Sequence, residues 1–333
     1  MTEDRRPFSE ELASNFRRDI ETIAQSLVGF CELSHAKAVP NLDDALLRWL
    51  DFRLRFVDPK PRPLVYSKIF AKCRPRQIRR ALRDFERRSL AGEDLNPFQG
   101  KGLTKHHDTS GLKRQSRTDL LWADWNIHHF HLGPRATGTS QYYAARTSQL
   151  LFAVVFDNAI ACIDVGDHGS MEDRSLIEAF VRSWPDAAER YRLKGLLPGS
   201  SQLSAADIRH LRVGGVSSPL VVDGAVYMPG GITTASTPMN VSWASVRIDM
   251  GIEALALIAI DQVTRDRGAW GSADLPHISL AVTPQGIGIY DDRSDRCWRL
   301  PRGTAQLAGY PIGHWHDLML PEWIEGKIAA VAG

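Results

Sequence analysis

The chain has 333 residues, of which 43% are hydrophobic and 24% charged. That balance excludes the disordered, collagen-like and coiled-coil classes, and the length predicts two or three domains with separate cores. The formal net charge is only +2, yet residues 48–117 hold 19 Lys and Arg against 7 Asp and Glu, a local net of +12. Such asymmetry points to a polyanion-binding surface, or to a basic face docked on the acidic remainder of the same chain.

In chain order, residues 8–30 predict a helix with Ser9 as N-cap and Leu12, Phe16, Ile20, Ile23 and Leu27 at helical spacing. A second helix is predicted over 42–56. The run Asp58-Pro59-Lys60-Pro61-Arg62-Pro63 cannot continue it, because three prolines fix φ and remove donors. A third helix, from Arg74 to about Leu90, turns Ile78, Leu82 and Phe85 inward and Arg76, Arg79, Arg80, Arg83, Arg87 and Arg88 outward. That outward face is the candidate nucleic-acid surface, joined by Lys113, Arg114 and Arg117 further on.

After the turn-rich Asn96–Gly102 the pattern changes to strands. Trp125–Leu132 alternates between two faces, Leu150–Phe156 is an apolar run, Asp157-Asn158 is a turn pair, and Ala159–Val165 completes a hairpin. Met171–Trp184 predicts an amphipathic helix stopped by Pro185. Beyond Pro198-Gly199 come a short helix capped by Ser204, an Asp223-Gly224 hairpin, a long apolar helix over 244–264, and a strand pair at Ile278–Val282 and Ile287–Tyr290. The expected class is therefore α+β. It comprises a helical, basic amino-terminal domain (1–95), a small antiparallel sheet with flanking helices (96–200) and a carboxy-terminal α+β region (201–333).

Four cysteines (Cys31, Cys73, Cys162 and Cys297) stand singly without C-x-x-C, indicating neither a disulfide framework nor a zinc knuckle. No apolar run approaches the roughly 18–20 residues that span a bilayer, and Met1–Asp19 is charged throughout. A cytoplasmic protein without a membrane partner is expected. P-loop, GxGxxG, HExxH and GxSxG patterns are all absent.

Histidines carry the positive signal. Six of the 11 lie between residues 106 and 168. On a strand, His129 and His131 share one face and His128 and Phe130 the other. Imidazoles so placed suit general acid–base work near neutral pH.

Arg146, the strand Leu150–Phe156, the turn Asp157-Asn158, and the strand Ala159–Val165 ending in Gly166-Asp167-His168 resemble the RelE/ParE-like ribonuclease-toxin core. The resemblance covers about residues 120–170. It implies a small α+β endoribonuclease core, acting without a metal cofactor through the RNA 2′-hydroxyl, and a possible protein partner. It also implies that Arg146 stabilises the phosphate and His168 protonates the leaving 5′-oxygen. The family's lysines and second arginine have no counterparts here.

Read from the residues alone, His129 or His131 supplies the base, His168 the acid, and Arg146 with Lys113, Arg114 or Arg117 the positive charge. The alternative is a metal-dependent phosphodiesterase or hydrolase, with His129, His131, Asp164 and His168 around a divalent ion such as zinc or manganese. In that alternative Asp119 or Asp124 would orient the metal-binding imidazoles. A non-catalytic nucleic-acid-binding or protein-interaction role, with structural histidines, is the third reading.

Overall fold

The computed structural model describes residues 6–35, 44–71, 74–106, 118–134, 142–199, 203–214, 216–234, 237–268, 271–283, 285–306 and 310–332. Its helices begin with α1 (Arg6–Phe30), α2 (Ala45–Arg55), α3 (Arg76–Leu90), α4 (Leu120–Trp125) and α5 (Arg174–Ser183). They continue with α6 (Pro185–Ala188), α7 (Ala205–Val213), α8 (Met239–Arg267), α9 (Ile312–Met319) and α10 (Glu322–Ala332). The strands are β1 (Ser34–His35), β2 (Leu64–Tyr66), β3 (Lys105–His106), β4 (Ile127–His131), β5 (Leu150–Val155) and β6 (Ile160–Gly166). After them come β7 (Arg192–Leu193), β8 (Leu220–Val222), β9 (Ala225–Tyr227), β10 (Ile278–Thr283), β11 (Gly286–Asp291) and β12 (Arg296–Arg299). The class is α+β. No helix among the described residues is long and apolar enough to cross a membrane.

The chain divides into two compact units whose limits do not follow the expected breaks after residues 95 and 200. One takes the described parts of 1–33, 40–54 and 241–333; the other takes those of 34–39 and 55–240. The reason is that chain-distant pieces share a core. In the first unit the Leu280 amide of β10 donates to Asp19 of α1 at 2.8 Å, and the Trp49 indole of α2 donates to the Leu318 carbonyl of α9 at 3.2 Å.

A four-stranded sheet ordered β2-β6-β5-β4 centres the second unit. Strands β4, β5 and β6 are antiparallel neighbours, while β2 joins the edge parallel to β6, with Tyr66 opposite Cys162. The first 95 residues are thus not all-helical. The proline run that ends α2 delivers an edge strand, where a missing N–H is tolerated. Both faces of the sheet are covered, which explains the continuous apolar runs of β5 and β6. Leu121, Trp125, Ile127, Phe152, Ile163 and Phe180 form one core; Leu82, Phe85, Phe98, Phe130, Leu151 and Cys162 form the other.

Trp125 ends helix α4 instead of starting a strand. Asp119 caps that helix by accepting from the Leu121 and Trp122 amides, and Asn126 turns the chain in the left-handed region (φ 59°) before β4 begins. The Asp223-Gly224 turn adopts positive φ at both residues (49° and 78°), as a two-residue hairpin requires, and joins β8 to β9. Helix α8 runs further at both ends than its apolar pattern predicted. Strand β12, rich in Arg, carried no apolar alternation to announce it.

Candidate active site

Alternation along β4 decides what each histidine does. Ile127 enters one core and Phe130 the other, so His129 and His131 lie on the Ile127 side and His128 on the Phe130 side. His128 is buried, stacked on Phe130 at 5.8 Å and edge-on to Trp122 at 6.4 Å. Burial pushes its imidazole down to about 3, so it is a neutral packing group.

On the other side three rings gather. Centroids of His129 and His131 are 6.0 Å apart, those of His131 and His168 5.5 Å, and those of His129 and His168 6.4 Å. Nδ1 of His129 lies 2.7 Å from Oδ2 of Asp119. Oδ1 of the same carboxylate caps α4, so the helix fixes the acid and the acid fixes the ring. Burial would raise the Asp119 carboxyl, but the charge and hydrogen bond of His129, with Arg55 nearby, hold it well below the usual carboxylate range. Of the two acids expected to orient imidazoles, Asp119 is the one that faces His129. A carboxylate so close to Nδ1 favours a proton on that nitrogen. Gly100 stands by the other nitrogen: a Cβ built on it would come within 3.8 Å of His129 Nε2.

His131 is held the same way by a different acceptor. Its Nδ1 is 3.1 Å from the Thr147 carbonyl, which can only accept, so Nδ1 carries the proton. Nε2 is then a bare lone pair, buried and without a hydrogen-bond partner among the described residues. Burial pushes this ring down to about 4, assisted by His129, Arg146 and His168 and opposed by the Thr147 bond, so His131 is neutral at pH 7.

Two glycines make the cluster possible. A Cβ on Gly133 would sit 1.9 Å from the Ala145 carbonyl oxygen, so only glycine lets residues 144–147 cross the end of β4. That crossing delivers the Thr147 carbonyl to His131 and brings exposed Arg146 within charge range of it. At Gly166 a Cβ would meet Ser170 Oγ at 2.4 Å, which keeps the turn bearing His168 tight against β6. Asp167 caps that turn through the Ser170 amide, and His168 is left exposed at the mouth.

The structure therefore brings His129, His131 and His168 together, with Arg146 beside them. Asp164, expected in the metal set, is instead held by an ion pair with Arg74. Among the described residues no group of three His, Cys, Asp or Glu is placed to hold a metal ion. Lys113, Arg114 and Arg117 lie outside the described residues. On α3, Arg76, Arg79, Arg80 and Arg83 are exposed, whereas Arg87 is engaged with Asp84 and Glu93 at 3.1 and 2.9 Å. Arg87 is thus a paired cation, not part of a free basic face.

Thr147, Arg55 and Gly100 gave no signal in the sequence. The first acts through its main chain, and the others arrive from far along the chain.

No family model, no curated protein and no solved structure matches this chain.

Proposed function

We propose that the chain is an endoribonuclease whose acid–base centre is the His129–His131–His168 cluster. The observation that carries this reading is the gathering of three imidazoles, with His129 set against the Asp119 carboxylate, His131 fixed through Nδ1 to the Thr147 carbonyl, and the exposed His168 beside both. His129, backed by a carboxylate, takes the proton from the RNA 2′-hydroxyl. The resulting oxygen attacks the adjacent phosphorus, and His168 gives its proton to the departing 5′-oxygen. Arg146 offsets the charge that builds on the equatorial oxygens. His131, neutral and with a vacant lone pair, is the other acceptor to which that single 2′-hydroxyl proton could pass. The products are a 2′,3′-cyclic phosphate and a 5′-hydroxyl.

A second reading rests on the same anchors. Metal-binding imidazoles commonly donate their other N–H to a carboxylate or a main-chain carbonyl, as His129 and His131 are placed to do. The experiment that separates the two is cleavage of a fluorescent single-stranded RNA by the full chain with and without EDTA, beside His168→Ala. Cleavage that survives EDTA and vanishes in His168→Ala supports the acid–base reading. Cleavage abolished by EDTA and restored by zinc or manganese transfers the site to the metal reading. An RNA left intact under every condition overturns both.

A further inference from the structure

The second unit holds another built feature, away from the histidines. Between the end of β2 and the start of α3 lies a cavity of about 540 Å³ lined by Tyr66, Lys68, Phe70, Arg74, Arg79 and Leu82, among others. Its wall is aromatic: the rings of Tyr66 and Phe70 are 4.7 Å apart and tilted by 56°. Tyr66 keeps 43% of its surface exposed. Burial of the phenol, with Cys162 and Glu86 near, pushes it up to about 12, so the ring stays uncharged at neutral pH.

Its charge is positive. Arg74 lies 4.8 Å above the Phe70 ring, donates to the Val165 carbonyl at 3.1 Å, and is neutralised by Asp164. Arg74 thereby serves as a fixed wall, and its Nε is buried without a partner. Lys68 and Arg79 are exposed and form no ion pair among the described residues, leaving two uncompensated cations at the rim. Arg79 continues into Arg76, Arg80 and Arg83 on the exposed side of α3.

Accessible aromatic faces next to free cations recognise a planar ring that carries an anion. We infer that this cavity is a nucleotide subsite for single-stranded RNA, stacking one base on Tyr66, which Phe70 backs, and seating its phosphate between Lys68 and Arg79. The assignment of RNA rests on the ribonuclease reading above. The strand β6 links the two places. Arg74 grips Asp164, and His168 follows four residues later, so at roughly 3.3–3.6 Å per residue their Cα atoms are at most about 14 Å apart. A strand seated in the cavity can thus run toward the histidines within a few nucleotides.

The test is fluorescence anisotropy of the full chain with a labelled RNA 12-mer, an RNA dinucleotide and uridine monophosphate, at several salt concentrations. Wild type is compared with Tyr66→Ala, Tyr66→Phe and the double variant Lys68→Gln/Arg79→Gln. Tyr66→Ala is expected to weaken 12-mer binding roughly 5- to 100-fold, with Tyr66→Phe restoring it. The double variant is expected to reduce the slope of log K against log salt by about 0.7, since the one phosphate seated between the two cations contributes about that much on a single strand. Unchanged affinity in both variants overturns the subsite. So does uridine monophosphate binding as tightly as the 12-mer, because no strand is then being read, and so does equal displacement by polyglutamate. If the variants weaken binding while wild type cleaves nothing, the subsite stands and the catalytic reading falls. If they leave binding intact while wild type still cleaves, the reverse holds.

Discussion

His131 and His316 are buried imidazoles in different units, and their Nδ1 atoms are anchored identically. His131 faces the Thr147 carbonyl at 3.1 Å, and His316 of α9 faces the Leu300 carbonyl at 3.1 Å. Burial lowers both, and both are therefore neutral at pH 7. At Nε2 they part. That atom of His316 accepts the Ile287 amide of β11 at 3.1 Å, closing every valence of the ring. The same atom of His131 has no partner among the described residues. A buried acceptor left open costs free energy, so its persistence calls for a use elsewhere. Satisfied, the ring is a strut between helix and sheet; unsatisfied and beside two more imidazoles, it is the ring that the proposed acid–base reading would use.

The largest effects should fall on turnover at the open ring and its neighbours. If the cluster is an acid–base centre, His129→Gln and His168→Ala each lower RNA cleavage by about 10²–10⁴-fold, and the pair together costs little more than the worse single change. His131→Phe is expected to lower cleavage as well and to cost less stability than His316→Phe, because removing the unsatisfied Nε2 offsets part of what the Thr147 carbonyl loses with its partner. Initial rates and urea melts on the same preparations decide it. A His131→Phe protein that is clearly destabilised yet fully active erases the distinction between the two rings.

Smaller, and opposite in kind, is the expectation for the closed ring. His316→Phe strips partners from the Ile287 amide and the Leu300 carbonyl at once. The loss of stability should be about 1–3 kcal/mol per group left unsatisfied, read from chemical denaturation. Cleavage per folded molecule should not change. A drop in turnover without a drop in stability would move His316 into the catalytic account.

The setting of His131 was legible in the sequence, whereas the contrast with His316 was not, for physical reasons. The pairing of His129 with His131 on one face followed from the period of a strand. The β5–β6 hairpin followed from two apolar runs about an Asp-Asn turn. The nearness of His168 and Arg146 was expected, and the glycines at 133 and 166 now explain it. What could not be read was any contact made by main chain: the Thr147 carbonyl that fixes His131 and the Ile287 amide that occupies His316 leave no trace in residue identity. Nor could the union of residues 1–33 with 241–333 be seen, because hydrophobic patterning reports that a face is buried without saying against what. The pairing of Arg87 required knowing that the chain turns back to set Glu93 beside it.

The pH dependence of stability sharpens the comparison further. Both rings, and His128 with them, are neutral in the folded chain and return to about 6.5 when unfolded. The unfolded chain therefore binds more protons below that value. Stability is fully present above pH 6.5 and declines as pH falls toward the folded value of about 4 for His131 and about 3 for His128. Removing His131 as Phe should flatten the dependence by about one proton across that window, and His316→Phe should flatten it in the same sense. Denaturant midpoints at pH 7 and pH 5 for the three proteins suffice. Parallel curves for wild type and His131→Phe would mean the ring is not buried as a neutral base.

The smallest effect carries the same logic to the basic surface, where satisfied and unsatisfied groups again stand on one element. Arg87 of α3 already spends its donors on Asp84 and Glu93, whereas Arg83, one turn earlier, is exposed with no ion pair among the described residues. A phosphate can recruit Arg83 without breaking anything, but it must displace two carboxylates to recruit Arg87. In binding of single-stranded RNA, Arg83→Gln should lower the salt slope by about 0.7 and Arg87→Gln should leave it unchanged. Equal slopes for all three proteins would show that the excess charge of residues 48–117 serves the chain's own folding. Equal losses in both variants would show that the RNA competes successfully for paired cations, and that local pairing is no guide to which arginines a polyanion uses.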